Sequence, residues 1–288
     1  MEGIRPSLKT WLEFVTFEHT IFALPFAYLG AILAARGVPP FSKWVWMTLA
    51  MVGARTAGMG LNRIIDREID AKNPRTKNRP LQRGEIRLSW ARLLVLCSIL
   101  LLLFAAWRLN PLCLVLSPLA LFFLSTYSYM KRFSWATHFV LGLVLACAPV
   151  GGWIAVTGQI GATPVLLGGA VLFWVAGFDV IYTCQDVVFD REAGVHSLPV
   201  RVGVARALFF SGLFHGLSFL FLFAVGLLNA SGLFFWIGLG MVSFILFIEH
   251  RMISPRDLSR VNRAFFVMNG WVSVVLFIAV FADRVWFR

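Results

Sequence analysis

The chain has 288 residues, of which 59% are hydrophobic, 15% aromatic and only 14% charged, and its mean hydropathy is +0.80. That balance excludes a soluble domain of this length, which would have too few polar groups to cover its surface. The formal net charge of +12 raises the possibility of a nucleic-acid partner, but the basic residues sit in short segments between apolar runs, a placement that argues for a membrane instead.

Runs nearly free of charge extend from Phe14 to Ala35, Trp44 to Ala54, Leu93 to Trp107, Leu109 to Met130, Phe133 to Phe178 and Ala207 to Ile248. A spanning helix needs about 20 apolar residues. The two longest runs therefore make two spans each, broken near Gly158 to Thr163 and near Asn229 to Gly232. Spans are predicted to begin near residues 14, 43, 91, 111, 135, 163, 205, 231 and 263. The expected fold is all-α: a polytopic membrane protein of about nine transmembrane helices. No Pro/Ser-rich linker divides the chain, so residues 1–288 read as one membrane domain. Glu13 and Glu18, in or beside the first apolar run, argue against a cleaved signal peptide. Glycines such as Gly53, Gly58, Gly60, Gly142 and Gly152 allow close helix packing. Cys97, Cys113, Cys147 and Cys184 have no CxxC spacing and indicate neither zinc nor disulfides.

With nine spans and the N-terminus inside, one side of the membrane carries the N-terminal arm and segments 63–92, 131–134, 184–206 and 250–263. The opposite side carries only Arg36, Lys43, Arg108, Arg284 and Arg288. Basic loops mark the cytoplasmic side, so the N-terminus and the polar loops are expected there.

Both acidic clusters fall on that side. NRIIDREID holds Asn62, Asp66 and Asp70, and DVIYTCQDVVFD holds Asp179, Tyr182, Asp186 and Asp190. On a helix, a step of four returns to within roughly 40° of the same face, so each set forms a stripe. Paired carboxylates repel unless a cation lies between them. Hard cations such as Mg²⁺ take carboxylate and phosphate oxygens. One such pair reads equally well as a solvated helix end. Two, each with a hydrogen-bonding neighbour (Asn62 or Tyr182), point to a site for a metal-complexed diphosphate. Asp179, the deepest, is alternatively a buried structural acceptor.

The loops after the two clusters also correspond, NPRTKNRPLQRGEI to DREAGVHSLPVRVG, which suggests two related halves. Arg55 lies seven residues before Asn62 on the same helical face. It faces either the carboxylate of an aromatic substrate or Glu18, with His19 beside it. Lys131 in YSYMKR, one turn after Tyr127, is either a snorkelling lysine or a diphosphate contact.

These residues resemble the UbiA superfamily of intramembrane prenyltransferases, in particular the 4-hydroxybenzoate polyprenyltransferase-like branch. The likeness runs through EHTIFALPFAYLGA, NRIIDREIDAKNPRTKNRPL, YSYMKR and GFDVIYTCQDVVFDREAGVHSLPVRVG, nearly the whole chain. It implies a helical bundle around a central cavity open to lipid, in a bacterial inner membrane. It implies transfer of a polyprenyl group from its diphosphate to an aromatic acid, most simply 4-hydroxybenzoate, for a ubiquinone-type quinone. Asp66, Asp70, Asp186 and Asp190 match the positions that bind Mg²⁺ and the prenyl diphosphate. Asn62, Asp179 and Tyr182 complete the two motifs, Tyr127 and Lys131 match the Tyr-x-x-x-Lys element, and Arg75 and Arg79 match the basic loop. Asp179 and a phosphate oxygen are both candidates for the base that takes the ring proton. One departure is Arg63, where many members carry Asp. At about 100° from Asn62, it should leave metal binding intact.

Alternatives remain at this level. A dihydroxynaphthoate acceptor in menaquinone synthesis fits the same stretch. Haem O synthases share the first motif but not DxxxDREAG. A polytopic transporter would place its acidic sites near the midplane, and a CDP-alcohol phosphotransferase pattern is absent.

Overall fold

Within hydrocarbon every backbone N–H and C=O must be satisfied inside the chain, and a helix does so within one segment. A computed structural model describes residues 6–16 and 20–286, and among them the chain is almost entirely helical. The one extended feature is an isolated antiparallel bridge between Ser254 and Asp257.

A short helix α1, Leu8–Phe14, precedes α2, Thr20–Ala35, and α3, Phe41–Ile65. The short α4, Arg67–Lys72, leads through a turn-rich loop to α5, Leu88–Leu109, and α6, Pro111–Met130. Next come α7, Thr137–Thr157, and α8, Ala162–Thr183. Two short pieces, α9 at Val187–Glu192 and α10 at Leu198–Val202, precede α11, Val204–Leu228, and α12, Leu233–Met252. The last helix, α13, runs over Val261–Trp286 with wide turns at Ala264–Met268 and Ala282–Trp286.

Among the described residues, 7 helices are long and apolar enough to cross a membrane, so the expected nine are not reached on that ground. The two that fall short are α2, with 16 residues, and α3, whose 25 residues include Lys43, Arg55, Asn62 and Arg63. Arg55 and Asn62 of α3 line the cavity described below, whereas Lys43 donates to the Leu109 carbonyl at 2.8 Å; together these polar side chains lower the mean hydropathy of α3.

The expected acidic stripes also differ in form from single helices. The helix stops at Asp66, with φ −90° and ψ 3°, before α4 resumes. The second motif breaks in the same way: a 3₁₀ turn covers Cys184–Asp186, and Asp186 has φ −100° and ψ 2°. Both central aspartates thus occupy the bridge region of backbone space, which is common at functional sites.

Close packing is set by glycines. Gly30 of α2 lies against the Pro149 carbonyl of α7, and Gly152 of α7 lies against the Ala27 carbonyl of α2. Gly142 brings α7 onto the Leu172 carbonyl of α8. A core of Phe22, Phe26, Trp174, Phe178, Phe235 and Leu276 joins α2, α8, α12 and α13.

A Cβ at Gly152 would overlap the Ala27 carbonyl, and backbone is the least able to give way. Gly152→Leu is therefore expected to destabilise the bundle by at least ~1–3 kcal/mol, read as a lower melting temperature in detergent, whereas Gly151→Leu, which meets open space, should not.

Candidate active site

Helices α2, α3 and α5 to α8 enclose a cavity of about 480 Å³, with the C-terminal ends of α3, α6 and α8 bringing the polar residues to it. Its deeper walls are apolar, with Ala54, Leu116, Leu141 and Leu145 among them. Of the residues singled out in the sequence, Arg55, Asn62, Asp66, Asp70, Arg75, Arg79, Tyr127, Lys131, Asp179, Tyr182, Asp186 and Asp190 line it. Two motifs more than 100 residues apart therefore face one space.

Inside the bundle an ionised carboxylate needs a partner, and most of these have one. Asn62 Nδ2 donates to Asp66 Oδ2 at 2.7 Å and to Ser128 Oγ at 3.3 Å. Lys131 Nζ lies 2.6 Å from Asp66 Oδ2, and the Arg132 guanidinium stands 3.8 Å from Oδ1. Arg79 pairs with Asp70 at 2.5 Å. Arg75 crosses to the second motif, donating to Asp186 Oδ1 at 3.1 Å and Oδ2 at 2.6 Å. The same guanidinium donates to Tyr182 Oη at 2.8 Å and lies 5.1 Å from the centre of that ring. Asn73 adds a longer contact to Asp186 at 3.4 Å. The loop of the first motif thus supplies the counter-charge of the second. Asp190 is buried on the same wall.

The family model for UbiA prenyltransferases matches residues 23–273. The chain belongs to the UbiA prenyltransferase family. It is 33% identical over 258 residues to a 4-hydroxybenzoate octaprenyltransferase of Aromatoleum aromaticum, covering 88% of this chain and 86% of the relative. To a 4-hydroxybenzoate octaprenyltransferase of Chromohalobacter salexigens it is 31% identical, covering 86% and 83%. Among solved structures, the apo form of a UbiA homolog from Aeropyrum pernix K1 superposes with a TM-score of 0.84 at 34% identity, covering 92% of this chain and 98% of that one. A UbiA homolog from Archaeoglobus fulgidus, bound to DMAPP and Mg²⁺, shares the fold at 18% identity with a TM-score of 0.67, covering 93% and 99%. The apolar helices and the family together make this UbiA member an integral membrane protein.

The departure at Arg63 has a structural account. Its guanidinium donates to Thr16 Oγ1 at 2.8 Å and to the Phe14 carbonyl at 3.4 Å, tying the end of α1 to α3. Glu18 and His19, considered as neighbours of Arg55, lie outside the described residues. Arg55 itself is half-buried in the cavity wall, and its buried Nε and Nη2 find no hydrogen-bond partner among the described residues.

Sequence reasoning passed over His138. It is fully buried, and its Nδ1 lies 2.6 Å from Asp179 Oδ2. The available signal was its position: an ionisable side chain near the start of an otherwise uncharged span.

For a magnesium ion the donors suit in kind, being carboxylate oxygens without thiolate or imidazole. Asp66 Oδ1 is buried and accepts no hydrogen bond, which leaves one oxygen free for a ligand. Among the described residues no three His, Cys, Asp or Glu side chains converge closely enough to hold a metal unaided. That suits Mg²⁺, which is commonly held by one or two carboxylates together with substrate phosphates.

Burial pushes the Asp66 carboxyl above its usual range, and Lys131 pulls it back down. Removing that offset leaves the ionised form poorly compensated. Lys131→Met is expected to lose about 1–3 kcal/mol at neutral pH. The deficit should shrink as pH falls through the carboxylate range and Asp66 protonates. Thermal unfolding of both proteins across pH checks the size and the sign.

Proposed function

We propose that this chain transfers a polyprenyl group from its diphosphate to 4-hydroxybenzoate, on the path to ubiquinone. The observation that carries this reading is one cavity with carboxylates and guanidinia at its mouth and apolar walls beyond. Charged groups at the mouth suit a diphosphate, and the walls suit a long isoprenoid tail entering from the bilayer. The named relatives act on 4-hydroxybenzoate.

Asp66, Asp70, Asp186 and Asp190 would hold Mg²⁺, which supplies charge neutralisation at the departing diphosphate. Lys131, Arg75 and Arg79 add positive charge at the same group as its negative charge builds. Arg75 and Arg79 exchange Asp186 and Asp70 for phosphate oxygens as substrate binds. The bond between the allylic carbon and the diphosphate oxygen ionises, diphosphate leaving with the electron pair, and the ring carbon ortho to the phenol oxygen attacks the resulting allylic cation. Asp179 takes the ring proton through Oδ1, since Oδ2 is held by His138. The apolar walls keep water from the allylic cation. Arg55 meets the carboxylate of the aromatic acid, which gives its free donors a partner. The mouth faces the cytoplasm, as the basic loops require.

Membranes carrying the protein, given labelled prenyl diphosphate and 4-hydroxybenzoate, should form an organic-soluble product with Mg²⁺ and none with EDTA. Asp66→Ala and Asp190→Ala should lower transfer by roughly 10²-fold or more while insertion is kept. Near-normal turnover in either variant, or product that forms despite EDTA, would refute the roles assigned. Mass spectrometry of the product made from mixed acceptors reads the acceptor directly, and a dominant naphthoate adduct would overturn the choice of 4-hydroxybenzoate. Arg55→Leu is expected to raise the KM for 4-hydroxybenzoate by about 10- to 100-fold, with little change in the KM for the prenyl diphosphate.

A further inference from the structure

His138 stands between two parts of the site. On one side its Nδ1 lies 2.6 Å from Asp179 Oδ2. On the other, its Nε2 accepts the backbone N–H of Leu198 at 3.1 Å. A backbone N–H can only donate, so Nε2 carries the lone pair and the neutral ring carries its proton on Nδ1. Nδ1–H therefore donates to the carboxylate. The ring is 0% exposed and Asp179 6% exposed, so neither atom can trade this partner for water.

Leu198 follows the second acidic motif, in the segment Gly194–Leu198 that closes back over the cavity; Val195, His196 and Ser197 line its wall. The same segment reaches the first motif's partner, because the His196 N–H donates to the Lys131 carbonyl at 2.7 Å. Lys131 in turn holds Asp66. One short loop is thus fastened to the lysine of one aspartate and to the histidine of another.

We infer that His138 is a positioning residue for the transfer reaction: seated by the Leu198 amide, it fixes Asp179 Oδ2 and turns Oδ1 toward the acceptor ring. The inference rests on the reading of Asp179 as the proton acceptor given above. A carboxylate held by one oxygen keeps the other aimed at the reacting proton, whereas an unanchored Asp179 rotates about its side-chain torsions and spends little time in that pose.

Two substitutions separate this role from simple pinning of the loop. In His138→Asn the amide nitrogen stands about where Nδ1 was, so the donor to Asp179 is kept and the acceptor for Leu198 is lost. In His138→Gln the amide reaches about where Nε2 was, so the loop contact is kept and the donor to Asp179 is lost. Each variant is purified in detergent, its melting temperature and prenyl diphosphate affinity are measured, and kcat and KM are determined beside Asp179→Asn. The expected result is that His138→Asn keeps most of kcat. His138→Gln loses about 10- to 100-fold in kcat with KM for the diphosphate unchanged. Adding His138→Gln to Asp179→Asn should cost nothing further. The reverse order, in which Gln retains activity and Asn loses it, overturns the inference in favour of a loop pin. Equal loss, or no loss, in both variants overturns it as well. If Asp179→Asn turns over normally, the reading of Asp179 itself fails, an outcome distinct from any result at position 138.

Discussion

The site depends on the cost of an ionised carboxylate in a medium of low polarity. Removing such a group from water without a partner is prohibitive, and Asp66, Asp70, Asp179 and Asp190 are all nearly inaccessible. The chain meets the cost with its own cations and donors: Lys131 at Asp66, Arg79 at Asp70, Arg75 at Asp186 and His138 at Asp179. On the proposed reading, substrate binding does not bring charge to a neutral site. It exchanges partners within an already compensated one: Lys131, Arg75 and Arg79 would move to the diphosphate, and the carboxylates they leave would hold Mg²⁺. A preorganised set of this kind needs little rearrangement when negative charge grows on the leaving group.

The same constraint explains the geometry of the two motifs. Each begins on a long helix and turns at its central aspartate, Asp66 or Asp186, with nearly the same backbone angles. After the turn a short helix, α4 or α9, carries its own aspartate, Asp70 or Asp190, buried against the cavity wall. The loop NPRTKNR then folds across to Asp186, and the loop after α9 folds across to Lys131 and His138. Each half therefore reaches over and completes the other.

Much of this was legible from residue types and spacing, because hydrocarbon imposes simple rules on a sequence. Apolar runs located the helices, basic loops grouped the acidic motifs on one side, and the residues of both motifs reached the same cavity. What was not legible depends on partners distant in sequence. No periodicity assigns Arg75 to Asp186 or Arg79 to Asp70, and no spacing couples His138 to Asp179. Of the expected spans, α2 falls short in length and α3 in hydropathy, the second because it carries polar side chains within its length. A buried network elsewhere passed unnoticed for the same reason. Trp174 Nε1 donates to Asn269 Oδ1 at 2.7 Å and Asn269 Nδ2 donates to Glu249 Oε1 at 2.7 Å, while His215 pairs with His250 at 2.9 Å. These contacts join α8, α11, α12 and α13, and each member looks isolated in the string.

The two arginines of α3 show how the same physics separates structure from recognition. Arg63 has a carbonyl and a hydroxyl for its donors, so its charge fastens α1 and asks nothing of a ligand. Arg55, two turns deeper on the same helix, has nitrogens with no such partner among the described residues and faces the cavity. A buried donor left unmet costs about 1–3 kcal/mol, and more when charged. A ligand that brings a carboxylate to Arg55 recovers that cost, and one that lacks it does not. Discrimination by an unmet polar group exceeds what an apolar wall achieves by shape. On the proposed reading, preference for an aromatic acid over a simple phenol follows from an Arg55 whose Nε and Nη2 have no partner among the described residues.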